Sequence, residues 1–375
     1  MKKGNLEYFK KINRDLVLET IRSEQPISRA KVAQKLSFSR STVSAIVDEL
    51  ISKKFVVETG FGSSTREGGR RAIELGFNPQ SGFGIGVELK ESGMRICMTD
   101  LDGNVLWNEW WNEGLNFQRI EDCIFESIEK AAVSMDRVIA VGFCIPGLTN
   151  SKDGIIVDAP ALKWTNVHFV EEMKKRLGKP VYINNDVNCA ALGERWVGGA
   201  KDLDDFIYIY IGLGSGVGSA IVANGNLVHG KDFMAGEIAY LVMEEDVAGD
   251  RLNEMGEFGV FENKISGKAL AESETSVQAL FQAYEKGEER AVVVVKRFIQ
   301  HLSIGISNMV SLLNPEKVII GGEVAAYLPA VLADIQFNVN KMTPIRTTIE
   351  TAAVGTEAGV LGVIAYTFDE EKDLI

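Results

Sequence analysis

Apolar positions between residues 6 and 54 recur at intervals of three and four, the spacing of short amphipathic helices. The first runs from about Leu6 to Ser23 and aligns Ile12, Leu16, Val17 and Ile21 on one face. Pro26 stops it, because its ring disfavours helical geometry at Gln25. Ser28 suits the N-cap of a second helix, Arg29–Leu36, with Ala30, Ala33 and Leu36 turned inward. After a turn at Ser37-Phe38, Ser39 opens a third helix whose apolar positions are Val43, Ile46, Val47 and Leu50. Phe55–Thr59 and Ala72–Phe77 have strand patterns on either side of the turn Arg66–Arg71.

Beyond Asn78-Pro79 the pattern changes to glycine-punctuated apolar runs that alternate with helical stretches. Phe83–Leu89, Arg95–Thr99 and Val105–Glu109 predict consecutive strands, with Leu101–Asn104 as a hairpin turn. Ile120–Met135 has helical spacing, and Val138–Cys144, Val181–Ile183, Phe206–Ile211 and Val318–Ile320 read as further strands. Helices are predicted over Lys268–Lys286 and Arg290–Leu313. This alternation predicts an α/β body of two lobes. The domain expectation is a head over 1–78, a first lobe over 79–190 and a second over 191–375, whose last helix returns to the first.

Charge divides the chain at the same place. Residues 1–76 carry 15 Lys+Arg against 9 Asp+Glu, and the remainder 25 against 43. A basic head on an acidic body predicts that only the head meets a polyanion. Within the head, Ser39, Arg40, Ser41, Thr42 and Ser44 gather small hydroxyls and one guanidinium at a helix N-terminus. Short side chains permit close approach, the N-terminal dipole favours phosphate, and an arginine reaches a guanine edge. With Ser28 and Arg29 at the start of the second helix, and Arg70 and Arg71 in a basic wing, they are the candidate contacts of a winged helix-turn-helix with double-stranded DNA. A helical protein-interaction domain with a solvated basic loop is the plainer alternative.

No apolar run approaches the roughly 18 residues of a membrane helix. The start has no apolar stretch of the secretory kind. Cys97, Cys123, Cys144 and Cys189 lie far apart, which argues against a disulfide framework or cysteine-zinc site and fits a reducing cytoplasm.

Five motifs carry a resemblance: Gly142–Gly147, Asn185–Glu194, Gly212–Gly218, Ala235–Glu237 and Glu262–Leu270. Their order is similar to that of the ROK family of sugar kinases and repressors, and with the head attached the chain resembles its xylose-repressor and N-acetylglucosamine-repressor branch. The resemblance covers almost the whole chain and implies an actin/hexokinase-like ATPase fold with sugar between the lobes. It implies that Asp186 stands where family kinases hold their general base, and that Asn185, Glu237 and Glu262 meet sugar hydroxyls, carboxylate oxygens being suited to accept from a polyol. Read from the residues alone, Asn-Asn-Asp is also a plain turn.

Two departures bear on function. Where family kinases carry Asp-x-Gly-Gly-Thr to admit phosphates, this chain has Glu88-Leu89-Lys90-Glu91-Ser92. A carboxylate there repels phosphate by several kcal/mol at an effective dielectric of about 20, so ATP binding and kinase activity are expected to be lost. Where the family carries a His/Cys₃ zinc centre, this chain has Glu237-Ile238-Ala239-Tyr240 and no nearby cysteine or histidine. No zinc is expected. Met255, Phe258, Val260 and Phe261 are expected to form an apolar substitute, and Tyr240 to stand in the place of a sugar-contacting histidine. Ala161 removes a further polar contact. Trp164 is a candidate cleft residue, whereas Trp107, Trp110 and Trp111 read chiefly as lobe core or a dimer surface. The expectation is a homo-oligomeric, dimeric or tetrameric, sugar-responsive repressor. The alternatives are an active sugar kinase with Lys90 as phosphate ligand, and a repressor whose acidic body answers to a protein partner.

Overall fold

A computed structural model describes residues 3–62, 71–214, 216–251, 253–254, 259–272 and 276–371. In the head, helices Lys3–Glu24, Arg29–Leu36 and Arg40–Ser52 enclose Val17, Ile21, Val32, Val43, Val47 and Leu50. They lean on a three-stranded sheet in the order Ile27–Ser28, Ile73–Phe77, Val56–Phe61. Both predicted caps form. The Ser28 hydroxyl accepts from Lys31 N at 3.4 Å and the Ser39 hydroxyl from Thr42 N at 3.1 Å.

The two lobes of the body repeat one topology. The first sheet runs Val105–Trp111, Gly93–Asp100, Phe83–Lys90, Val138–Ile145, Val181–Asn185. The second runs Asn226–Leu227, Val217–Ala223, Phe206–Ile211, Lys317–Gly321, Thr348–Thr351. In sequence order within each lobe both read 3-2-1-4-5, with antiparallel pairs 1-2 and 2-3 and parallel pairs 1-4 and 4-5. Ligands of such sheets bind beyond the carboxyl ends of the parallel strands, which here are Lys90, Ile145 and Asn185 in one lobe and Ile211 and Gly321 in the other.

Helix Asp186–Val197 and the final helix, Ala358–Glu370, join the lobes. They cross closely because Gly362 has no side chain. A Cβ there would lie 1.7 Å from the Cys189 carbonyl oxygen. Beneath the crossing, the buried Glu194 carboxylate accepts from Gly199 N and Val354 N, each at 2.8 Å, which ties the helix to the loop before the final helix.

The head is docked on this frame. Arg22 donates to Asp102 Oδ1 and to the Leu101 carbonyl, both at 2.9 Å, and Leu101 is buried in the core of the head.

Several sequence expectations change. The expected division at 190 falls within helix Asp186–Val197, which runs unbroken through it. In the second helix Val32 replaces Ala30 inside, because the sheet packs against a different side of that helix; Ala30 is exposed. Leu16 is also exposed, and its neighbour Leu18 is buried. The expected helix Lys268–Lys286 divides into Gly267–Ala271 and Val277–Glu285, the second restarted by Ser276, whose hydroxyl accepts from Ala279 N. Helix Phe117–Lys130 begins earlier and ends earlier than Ile120–Met135, because Asn116 caps it.

Gly362→Ala should cost about 3 kcal/mol or more through this collision. Urea unfolding of the variant beside the wild type measures it, and an unchanged midpoint would remove the argument for the crossing.

Candidate functional site

The strand Val181–Asn185 carries two asparagines into the N-terminus of helix Asp186–Val197. Asn185 caps that helix, its oxygen accepting from Val187 N at 2.9 Å and Asn188 N at 3.1 Å. Its amide donates to the Gly147 carbonyl and to Asp186 Oδ1, both at 3.0 Å. Both ends of Asn185 are therefore engaged, and a sugar hydroxyl must displace one of these bonds to reach it. Asn184, one residue earlier, is buried and its amide nitrogen has no partner.

Asp186 projects from the first turn of the helix. Desolvation in the cleft pushes its carboxyl up to about 7, against the pull of its bond from Val187 N. Glu88 raises it further and Lys90 lowers it, so both groups face it from the end of the first strand. Lys90 is paired within its own strand end. Its ammonium lies 3.2 Å from Glu88 Oε1, and Glu88 is buried. Arg95 approaches the other Glu88 oxygen at 3.8 Å and Glu357 at 3.4 Å, while Glu91 and Ser92 are exposed on the turn. The strand end thus finishes in a closed chain of ion pairs instead of an open glycine turn.

The second lobe supplies two carboxylates. Glu262 is buried at the start of a short helix and its carboxyl is raised by desolvation, although backbone N–H groups of Gly259 and Val217 bond to it. The Glu237 charge raises it too, so the two acids face one another. Glu237 keeps exposed surface toward the cleft, and the walls around it nonetheless raise its carboxyl by desolvation. Three acids whose charge is poorly solvated suit a ligand that brings hydroxyl donors. Glycine at 322, φ +85°, is required by the fold itself, because a Cβ would lie 2.4 Å from the Ile211 carbonyl oxygen.

Tyr240 is half-buried beside them, and Asn253 fixes its backbone. The Asn253 amide donates to the Tyr240 carbonyl at 2.8 Å and its oxygen accepts from Val260 N at 2.9 Å. One carboxamide thus ties together the two segments that a His/Cys₃ centre would cross-link, with oxygen and nitrogen donors that do not fit such a centre. Sequence reasoning missed Asn253, which stands among the charged residues Asp250, Arg251 and Glu254 with nothing in the sequence to set it apart. Val260 and Phe261 are buried as expected, and Met255 and Phe258 lie outside the described residues.

Trp164 stacks on Phe117 at 6.1 Å between centroids and packs on the first-lobe core. Trp107 and Trp111 pack on the same core beneath Lys130, whose ammonium is 4.3 Å from the Trp111 ring. Ala161 is exposed.

On the head, Arg40, Ser41 and Thr42 are exposed at the start of the third helix, and Ser44 is half-buried. The Ser39 hydroxyl lies 2.9 Å from that of Ser41 and 2.8 Å from that of Thr42, a compact cluster around the helix N-terminus. Ser28 is buried and committed to its cap. Arg29 is held by Asp48 at 2.7 Å and Glu58 at 3.5 Å, so it clamps the third helix to the wing strand. Arg71 is exposed at the wing, and Arg70 lies outside the described residues. No helix among the described residues is long and apolar enough to cross a membrane.

With this geometry in hand, residues 84–370 match the ROK family. The chain is 30% identical to a xylose repressor of Caldicellulosiruptor bescii over 98% of both chains. It is 27% identical to the DNA-binding transcriptional dual regulator NagC of Escherichia coli K12, over 90% of this chain and 86% of that one. Among solved structures, a ROK family transcriptional regulator described as a homolog of the E. coli MLC protein superposes with a TM-score of 0.82 at 23% identity, covering 97% of each chain.

Two outcomes follow from the site. Asp186 binds its proton more tightly folded than unfolded, so its contribution is whole below about pH 4 and is lost as pH rises through about 7. Asp186→Asn removes that loss, and its stability relative to wild type should therefore grow by about 1 kcal/mol between pH 6 and about pH 8; a constant difference in unfolding free energy would refute the raised value. Asn253→Ala leaves a carbonyl and an N–H without their partner and should cost about 1–2 kcal/mol, read from thermal unfolding, with Asn253→Leu no better.

Proposed function

The chain belongs to the ROK family, and on that footing we propose that it is a sugar-responsive transcriptional repressor of carbohydrate-use genes with no kinase activity. The observation that carries this reading is the likeness to a xylose repressor along 98% of both chains, head and body together. The head meets a double-stranded operator through Arg40 and the hydroxyls of Ser39, Ser41 and Thr42, with Arg70 and Arg71 of the wing on the backbone. Ser28 and Arg29 support that surface by capping and clamping it. A homo-oligomer, dimeric or tetrameric, sets two heads on neighbouring half-sites.

The effector is a monosaccharide held between Asp186 of the first lobe and Glu237, Tyr240 and Glu262 of the second, with Asn185 positioning Asp186. Because its contacts come from both lobes, the sugar favours one degree of closure. If DNA favours another, each ligand weakens the other by a coupling of about 1–3 kcal/mol. Neither zinc nor ATP has a part in this scheme. Asn253 does the bridging, and the Glu88–Lys90 pair fills the phosphate turn.

A second reading, an active sugar kinase, draws on Asp186, whose carboxyl raised to about 7 suits a general base. Titrating a monosaccharide panel calorimetrically into the protein, with and without operator DNA, tests the first reading. One sugar should bind with an affinity that changes at least fivefold on adding operator, and equal affinities would overturn the switch. Sugar phosphate formed from ATP and abolished by Asp186→Asn would establish the kinase instead.

A further inference from the structure

A cavity of about 720 Å³ lies not in the sugar cleft but between the head and the body. Pockets of this size at domain boundaries commonly hold small molecules. Its apolar walls come from both sides: Leu16 and Leu18 of the first head helix, Phe77 at the end of the wing, and Leu101, Trp196 and Phe368 of the body. Trp196 and Phe368 meet edge to face at 5.8 Å, so this wall is preformed by the same two helices whose crossing supports Asp186.

The charges on the lining are unequal. Two arginines line it, and both are already satisfied. Arg22 is bonded to Asp102 and the Leu101 carbonyl, and Arg195 donates to the Gly225 carbonyl and lies 3.5 Å from Asp204. Asp102 and Asp204 are not themselves part of the lining. Beside these neutralised cations stand the lining carboxylates Asp15 and Glu19. Asp15 has Arg14 at 3.5 Å, whereas Glu19 makes no ion pair among the described residues. An apolar, aromatic-walled space with the Glu19 carboxylate at its rim is complementary to a flat hydrophobic body carrying one amine, which also meets the indole of Trp196.

We propose that this cavity is a second small-molecule site, distinct from the sugar cleft, that takes an amphipathic organic cation. Its occupant touches the first head helix and helix Asp186–Val197 at once, and so braces the head against the body.

Tryptamine serves as the probe, with indole-3-acetate as the matched anion, each titrated calorimetrically into the full chain. Tryptamine should bind with submillimolar affinity and indole-3-acetate at least tenfold more weakly. Leu16→Lys, at an exposed position, places a cation on the wall and should weaken tryptamine at least tenfold, and Glu19→Gln should weaken it severalfold. Circular dichroism identical to wild type confirms that both variants fold. Absence of tryptamine binding at millimolar concentration overturns the proposal, as does binding indifferent to both substitutions, which would place the amine elsewhere, for instance at Glu237 and Glu262. None of these outcomes depends on the sugar or operator titrations.

Discussion

The crossing of helix Asp186–Val197 by helix Ala358–Glu370 is the contact on which the rest of the molecule leans. Backbone meets backbone at Gly362 and the Cys189 carbonyl, with no room for a methyl group between them. The interior is as dense as an organic crystal at such a point, so the two helices move together or not at all. At one end of the pair Asp186 enters the cleft. At the other, Trp196 and Phe368 form the wall against which the head rests. A single rigid unit therefore touches both the candidate effector site and the base of the DNA-reading head, and a change of lobe closure at Asp186 has a short mechanical route to the head.

The chemistry of the cleft follows from desolvation. Asp186, Glu237 and Glu262 are all raised because the walls remove water faster than the fold supplies donors. Such acids are poor partners for anions and good ones for hydroxyls. On the neighbouring strand end carboxylates meet cations instead: Glu88 pairs with Lys90 and Arg95, and Arg95 also with Glu357, where no glycine turn is present. Nearby, the carboxamide of Asn253 spans the segments of Tyr240 and Val260 with two hydrogen bonds.

Much of this was legible along the chain because it depends on neighbours in sequence. Caps at Ser28 and Ser39 are contacts over three residues, and strand or helix spacing is a local period. Where partners are remote the reading went astray. Which of Ala30 and Val32, or of Leu16 and Leu18, turns inward is set by the direction from which the sheet and the body approach. For Arg29, at a helix start, the pairing of its guanidinium with Asp48 and Glu58, 19 and 29 residues away, is likewise set by the fold. The division at residue 190 falls within a helix whose continuous period serves both lobes.

The sequence by itself determined the class of the protein: a basic head of three short helices on an acidic α/β body, with long side chains at Glu88–Ser92 where family kinases carry glycines. These rest on side-chain chemistry and short-range geometry, which the order of residues carries directly. Only the tertiary structure decided that the lobes repeat one topology without repeating its residues, that the Asn185 amide is held by the Gly147 carbonyl, and that a cavity opens between head and body. Each of these is a meeting of segments tens to hundreds of residues apart, and the free energy that selects such meetings belongs to the packed chain as a whole.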